Sequence, residues 1–245
     1  MEVQFGRNVY MTTAAAEKAA AVAGKEDVAL SVHAPYYVNL TSKSEQTRAK
    51  SRDWILASAR IAAALGASMV TIHAARAVEP AAVVESFRGL TRQLKGEKIT
   101  VPLGLETMGD EGEFGSLEEV LEVVRKVKGT AAVLDFAHLY SRSGGALRTA
   151  DDFTAVFDAV DKVTKSPYHI HFSGIEHKNC REVRHVPLGA AGPDLGELVK
   201  ALGGRKRDAT IICESPLLEE DALKIRSALE RSGAKPARGI RKEYK

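Results

Sequence analysis

The sequence has few cysteines and no long apolar run, and each shortage excludes a class of protein. The two cysteines, Cys180 and Cys213, lie far apart and form no C-x-x-C pair, which argues against a disulfide framework and against a thiolate zinc site. No apolar stretch approaches the roughly 20 residues of a membrane-spanning helix, and no basic segment followed by an apolar one opens the chain. We therefore expect a cytoplasmic protein with no membrane partner.

Composition and charge favour one globular domain but identify no partner. The net charge of the 245 residues is only +3, which permits an anionic partner without requiring one. Residues 1–234 show no break in composition and have the size of a single barrel domain, typically about 250 residues. Residues 235–245 are basic and poor in apolar side chains, which indicates a solvated C-terminal tail. We expect a monomer.

Strand and helix patterns alternate along the whole chain. Helical patterns follow each strand pattern, and two of them begin with an apparent capping box, Ser42 with Glu45 and Ser116 with Glu119. The strand patterns lie at about 2–6, 28–33, 69–73, 101–106, 131–136, 168–172 and 209–214. Such alternation predicts βαβ crossovers and a parallel sheet, hence an α/β fold of the TIM (β/α)8 type.

Histidines and carboxylates gather at the carboxyl ends of these strands. Because successive side chains of a strand point to opposite faces, His33 faces away from Leu30 and Val32. The same alternation turns six residues towards the barrel lumen: His33, His73, Glu106, Asp135, His171 and Glu214. Active sites of parallel barrels are built at this end of the strands.

Imidazole nitrogens and carboxylate oxygens without thiolate are typical of catalytic zinc, manganese or iron sites. The alternative is a lumen filled with hydrogen-bonded polar side chains. Six residues that agree in direction and depth favour metal, and they exceed what one ion needs. The sequence therefore predicts two or three divalent ions, with a carboxylate such as Glu106 bridging two of them.

An ordered set of short motifs resembles the endonuclease IV family. With the strand-end His73, the motifs are HAPYYVNL (33–40), LGLET (103–107), LDFAH (134–138), HFSG (171–174), RHVPLG (184–189) and ESP (214–216). The resemblance extends over about residues 1–217. That family comprises abasic-site DNA endonucleases on a zinc-bearing TIM barrel within the xylose-isomerase-like superfamily. The resemblance implies a hydrolase that cleaves the phosphodiester 5′ of abasic sites in double-stranded DNA.

The resemblance also implies three zinc sites, with Mn²⁺ as an alternative metal. The first site would use His33, His73 and Glu106, and the second would use Glu106, Asp135, His171 and Glu214. His138 and His185 would hold a third ion. A divalent metal lowers the pKa of a bound water towards 7, and Glu106 would orient or deprotonate the attacking water as the catalytic residue.

Two departures from the family limit how far its metal sites can be assigned to this chain. The family has an aspartate two residues before the histidine that matches His185, whereas this chain has Val183. The third site would then be weak or absent, unless Glu182 or a water completes it. The strand that begins at Glu2 matches the second strand of the family, so the first strand and helix are missing here. Either the true start lies upstream of Met1 or the sequence is a fragment.

Contacts with DNA are predicted from the rim of the barrel. Tyr36 matches a family tyrosine that touches DNA near the flipped abasic nucleotide, although packing at the rim explains such a tyrosine equally well. Phosphate contacts are predicted for Arg7, Asn8, Asn39 and Arg142, with ordinary rim polarity as the alternative.

Two histidines are not predicted to be ligands. His169 is expected one layer deeper than His171, in a core or supporting role, and His177 is expected to face solvent.

Two other functions stay open at this stage. A sugar isomerase or epimerase on the same barrel would use similar ligands around one or two divalent ions, and the loss of the aspartate at Val183 favours it. HAPYYVNL and the pair His138 and His185 favour the nuclease. A barrel that binds metal or nucleic acid without turnover is the third hypothesis, and the retained ligands argue against it.

Overall fold

The computed structural model describes residues 1–74, 76 and 80–234. Its strands are β1 (Glu2–Gln4), β2 (Ser31–His33), β3 (Val70–Ile72), β4 (Leu103–Glu106), β5 (Thr130–Asp135), β6 (Tyr168–Phe172), β7 (Gly174–His177), β8 (Glu182–Val186) and β9 (Ala209–Cys213). Its helices are α1 (Thr13–Lys25), α2 (Glu45–Leu65), α3 (Pro80–Gly96), α4 (Leu117–Lys126), α5 (Phe136–Arg142), α6 (Ala150–Asp161), α7 (Leu195–Gly203) and α8 (Glu219–Arg231).

Seven of the strands form one parallel sheet with the order β1-β2-β3-β4-β5-β6-β9. Neighbouring strands pair in register, so that Gln4 lies opposite His33 and Asp135 lies opposite His171. Helices connect the strands, and the prediction of an α/β TIM-type barrel with seven strands is confirmed. Among the described residues, no strand pairing joins β9 to β1.

The helices pack on the sheet through apolar side chains that recur with the period of a helix. In α3 the buried residues are Val83, Val84, Phe87, Leu90 and Leu94, which lie on one side of the helix and form one stripe. In the lumen, by contrast, the strand ends carry the polar side chains. This division leaves the polar residues of several strands facing one another in a buried space.

The hairpin formed by β7 and β8 was not predicted. The two strands are antiparallel and separate from the barrel sheet. Their tight turn places Asn179 and Cys180 at φ values of +53° and +56°, which is the backbone of a two-residue hairpin turn. Cysteine is unusual at such a position, so the sequence did not indicate the turn. His185 therefore lies on this hairpin and not at the end of a barrel strand.

The structure confirms one capping box and corrects the other. Ser116 and Glu119 form the predicted reciprocal box at the start of α4. The α2 helix instead begins after Ser44, whose hydroxyl accepts a hydrogen bond from the Thr47 amide. Ser42 accepts from the Ser44 amide and shapes the preceding turn, so its pairing with Glu45 was wrong.

Among the described residues, no helix is long and apolar enough to cross a membrane. The predicted tail at 235–245 lies outside the described residues. The division into a domain at 1–234 and a tail stays a prediction.

Candidate metal centre

All eight predicted metal ligands meet at the carboxyl end of the barrel. Six come from barrel strands or the positions just after them, His138 comes from α5, and His185 comes from β8. Their ligand atoms form three groups, within each of which the atoms lie within 4.8 Å of one another. The groups are His33, His73 and Glu106; Glu106, Asp135, His171 and Glu214; and Asp135, His138 and His185.

In the first group, Glu106 faces two imidazoles. Its Oε2 lies 2.9 Å from Nε2 of His73 and 3.2 Å from Nε2 of His33. Nδ1 of His33 donates to the carbonyl of Ala34 over 2.7 Å, so that neutral His33 presents the lone pair of Nε2 to Glu106. An acceptor that faces an acceptor needs a cation between them, either a proton or a metal ion.

In the second group, the other oxygen of Glu106 faces His171. Nδ1 of His171 lies 3.1 Å from Oε1 of Glu106 and 3.3 Å from Oε1 of Glu214. Asp135 caps α5 by accepting from the His138 amide over 2.7 Å. Its second oxygen, Oδ2, is buried and has no hydrogen-bond partner among the described residues. A buried carboxylate oxygen without a donor fits a divalent cation.

In the third group, the imidazoles of His138 and His185 face each other. Their Nε2 atoms are 3.3 Å apart, and the rings are nearly perpendicular. The other nitrogen of each ring is held by the protein: Nδ1 of His138 by the carbonyl of Thr107 and Nδ1 of His185 by the hydroxyl of Ser173. Both rings are therefore fixed with Nε2 directed inward.

The charges of the cluster shift the pKa values of its members strongly. Burial would raise the pKa of Glu106, but the charges of His171 and His73 outweigh burial and hold it well below the usual value. Burial would lower the pKa of His171, but the charges of Glu214 and Glu106 raise it well above the usual value. Burial, aided by Glu106 and Asp135, raises the pKa of Glu214 to about 7. These carboxylates need positive charge nearby, which protonated histidines or divalent cations supply.

Comparison with known sequences assigns the chain to a family. A sequence model of the family described as xylose isomerase-like TIM barrel matches residues 1–232. The chain belongs to this family. The predicted resemblance is thereby confirmed at the level of the family.

Two relatives show how the xylose isomerase-like chain compares with curated proteins. An uncharacterized protein of Methanocaldococcus jannaschii is 30% identical over 232 residues, which cover 91% of this chain and 84% of that protein. A probable endonuclease 4 of Mycobacterium ulcerans is 30% identical over 189 residues, which cover 75% of this chain and 71% of that protein. The relationship to endonuclease IV proteins is thus found at the level of sequence.

Two solved structures show the same barrel. Endonuclease IV from Thermus thermophilus superposes with a TM-score of 0.73 at 22% identity, over 92% of this chain and 85% of that one. A D-tagatose 3-epimerase-like protein superposes with a TM-score of 0.73 at 19% identity, over 94% of this chain and 86% of that one. At these identities the likeness shows a shared fold and does not distinguish a nuclease from an epimerase.

One buried carboxylate of this xylose isomerase-like barrel was missed. Glu2, on β1, accepts hydrogen bonds at Oε2 from Ser31 over 2.8 Å and Thr71 over 3.2 Å. Its Oε1 lies 3.1 Å from Nε2 of His171. The strand EVQF carried the necessary signal, because Glu2 must face away from Val3 if alternation holds. His169 lies 3.2 Å from Oε2 of Glu2, in the deeper layer that was predicted for it.

Tyr36, a predicted DNA contact, packs against two of the predicted metal ligands. Its ring centroid is 4.9 Å from that of His33 and 5.5 Å from that of His73, and the residue is 42% exposed. Its hydroxyl donates to Oε1 of Gln4 over 2.7 Å. Burial and the charges of Glu214 and Glu106 raise the pKa of Tyr36 to about 12, so the hydroxyl keeps its proton at neutral pH.

The other predicted contacts divide into exposed and internally bonded residues. Arg7 and Asn8 are exposed after β1, although Oδ1 of Asn8 also accepts from the Trp54 indole. Asn39 accepts from the Thr41 amide within its own turn. Arg142 is mostly buried and donates to the carbonyls of Asp110 and Glu113, so its guanidinium holds a loop instead of facing outward.

His177 corrects a smaller prediction. It was expected to face solvent, but it is half-buried and packs edge-on against Tyr140 with ring centroids 5.4 Å apart. The unrecognised hairpin explains the error, because β7 carries His177 back against α5.

Proposed function

We propose that this chain is a zinc-dependent endonuclease that hydrolyses the phosphodiester 5′ of abasic sites in double-stranded DNA. The observation that carries the proposal is the position of Glu106, whose two oxygens face two different groups of ligands. A carboxylate in that position can be shared by two cations a few ångströms apart. Paired cations of this kind serve phosphodiester hydrolysis, where both the attacking and the leaving oxygen carry negative charge.

Each group of residues has a task in this reaction. His33, His73 and Glu106 would hold one ion, and Glu106, Asp135, His171 and Glu214 would hold a second. Zinc bound there would polarise the phosphodiester and make water acidic enough to attack near neutral pH. Glu106 is fully buried between the two groups of ligands. It would belong to both groups and would accept the proton of the attacking water.

The rim above the cluster fits a nucleic-acid substrate. Exposed aromatic rings lie on the loops after β1 and β2, at Tyr10, Tyr36 and Tyr37. Arg7 adds an exposed positive charge on the first of these loops. Aromatic rings beside basic residues are a common means of holding unstacked nucleotides, and an abasic nucleotide costs little to extrude because it has no base to unpair.

The test is cleavage of a DNA duplex that carries one tetrahydrofuran abasic analogue. We expect the zinc-loaded protein to nick the damaged strand on the 5′ side and to leave an undamaged duplex intact. Glu106→Gln should abolish nicking, whereas Glu85→Gln, on the exposed face of α3, should leave it unchanged.

The opposite outcome is equally clear. Zinc-loaded protein that fails to nick this duplex would overturn the proposal. Interconversion of ketose sugars by the same preparation would establish the epimerase function instead, for which two groups of ligands around Glu106 also suffice.

A further inference from the structure

The hairpin that carries His185 contains a β-bulge at Val183. Ile175 pairs with His185 and Glu176 pairs with Arg184, but the next partner of His177 is Glu182. Val183 is therefore an extra residue in β8, and it is 59% exposed. In a regular strand Val183 would share the face of His185, because side chains alternate. The bulge shifts this alternation and turns the side chain of Glu182 to the face of His185.

The Glu182 carboxylate reaches both imidazoles of the third group. Its Oε2 lies 3.1 Å from Nε2 of His138, and its Oε1 lies 3.4 Å from Nε2 of His185. The loop after β4 leaves room for it at Gly109, where an added Cβ would lie 3.3 Å from Oε2 of Glu182. Two elements distant in sequence thus accommodate this side chain.

When His138 and His185 are neutral, their hydrogen bonds to the protein leave no proton on the Nε2 atoms that face each other. Nδ1 of His138 donates to the Thr107 carbonyl, so its Nε2 carries a lone pair. The Ser173 hydroxyl lies 2.9 Å from the Gly174 carbonyl and 2.7 Å from Nδ1 of His185, and when it donates to the carbonyl it accepts from Nδ1. Nε2 of His185 then also carries a lone pair.

In this arrangement the Nε2 lone pairs of His138 and His185 converge on the carboxylate of Glu182, and no proton lies between these three groups. Two nitrogens and a carboxylate oxygen form the donor set of many zinc sites that keep one position open. We propose that Glu182 is a ligand of a third divalent cation together with His138 and His185, and that the bulge at Val183 brings it there. This inference deepens the proposed metal centre and rests on it, but it concerns metal binding alone.

Zinc stoichiometry tests the proposal without any measurement of DNA cleavage. Elemental analysis of the wild-type chain, equilibrated with zinc and freed of excess, should give three zinc ions per chain. Glu182→Gln keeps the size of the side chain and should lower the count to two. If the third ion still binds, it should dissociate at a chelator concentration at least about tenfold lower than in the wild type. Glu176→Gln, on the same hairpin but paired outward with Arg184, is the matched control and should keep three ions.

A second measurement locates the ion directly. Anomalous scattering at the zinc edge should show a peak about 2.0–2.2 Å from a Glu182 oxygen. A wild-type count of two, a Glu182→Gln variant that retains the third ion with unchanged affinity, or a third peak beyond bonding distance of Glu182 would each overturn the proposal. A count of three without nicking would leave this site standing and refute only the endonuclease function.

Discussion

The carboxylate of Glu2 lies 3.1 Å from Nε2 of His171, on the side of the imidazole opposite to Glu106 and Glu214. Ser31 and Thr71 hold this carboxylate from below through hydrogen bonds to its other oxygen. A carboxylate behind a metal-binding histidine fixes the tautomer, because it accepts the proton of one nitrogen and leaves the other nitrogen free for the metal. From this ion-pair distance we expect Glu2 to take that role and to support the second group of ligands without belonging to it.

The first prediction concerns this supporting carboxylate. Glu2→Gln should weaken zinc binding about 10-fold to 100-fold, because His171 loses the partner that orients Nδ1 towards the metal. Competition with a chromogenic chelator measures the affinity. Glu17→Gln, exposed on α1, is the control and should bind zinc as the wild type does. Unchanged affinity in Glu2→Gln, with the fold intact by circular dichroism, would show that Glu2 only fills the lumen.

The second prediction separates two roles of Tyr36. Tyr36→Ala should raise KM for abasic duplex about tenfold or more, because an aromatic ring that stacks on a base beside the abasic nucleotide contributes roughly 1–3 kcal/mol. Tyr36→Phe loses only the hydrogen bond to Gln4 and should keep most of the affinity. Zinc content should be the same in both variants.

The result for Tyr36 also decides between recognition and packing. A tyrosine that merely packs on His33 and His73 would, when removed, disturb the zinc content and leave KM unchanged. That pattern would argue against a substrate contact at this position.

The predicted ligands that the structure brings together share one property. His33, Glu106 and His171 lie at the ends of strands in a parallel sheet, where alternation of side chains and a common direction of the strands suffice to bring them together. Neither rule requires knowledge of the loops. The positions of these residues in the cluster could therefore be predicted from local sequence.

The features that sequence analysis missed depend on longer-range geometry. The sequence raised Glu182 only as one of two ways to complete the third site, because its direction depends on a bulge and on an atypical turn at Asn179 and Cys180. Arg142 is a rim arginine in sequence, but only the folded loop shows that its guanidinium points inward to the carbonyls of Asp110 and Glu113. Glu2 is the exception, because alternation with Val3 on the short first strand is a local signal that indicates its direction.

The last prediction concerns the stability of the metal-free protein as a function of pH. The folded state holds a proton on Glu214 up to about pH 7, whereas the ordinary pKa of a glutamate is 4.5. A pKa that folding raises gives stability that is complete below the ordinary value and is lost as pH rises through the folded value. His138 and His171, whose pKa values are also raised, act in the same direction above about pH 6.5.

The buried carboxylates Glu2 and Glu106 have the opposite effect, because their pKa values are lowered and their contribution is lost only below about pH 4.5. With chelator present, the free energy of unfolding should therefore decrease between pH 6 and pH 8.5, by on the order of 2 kcal/mol. Urea titrations across this range measure it. Glu214→Gln has no titratable proton at this position and should make the decrease smaller. A free energy of unfolding that rises with pH in the chelated wild type would contradict the prediction that bound protons stabilise the buried carboxylates.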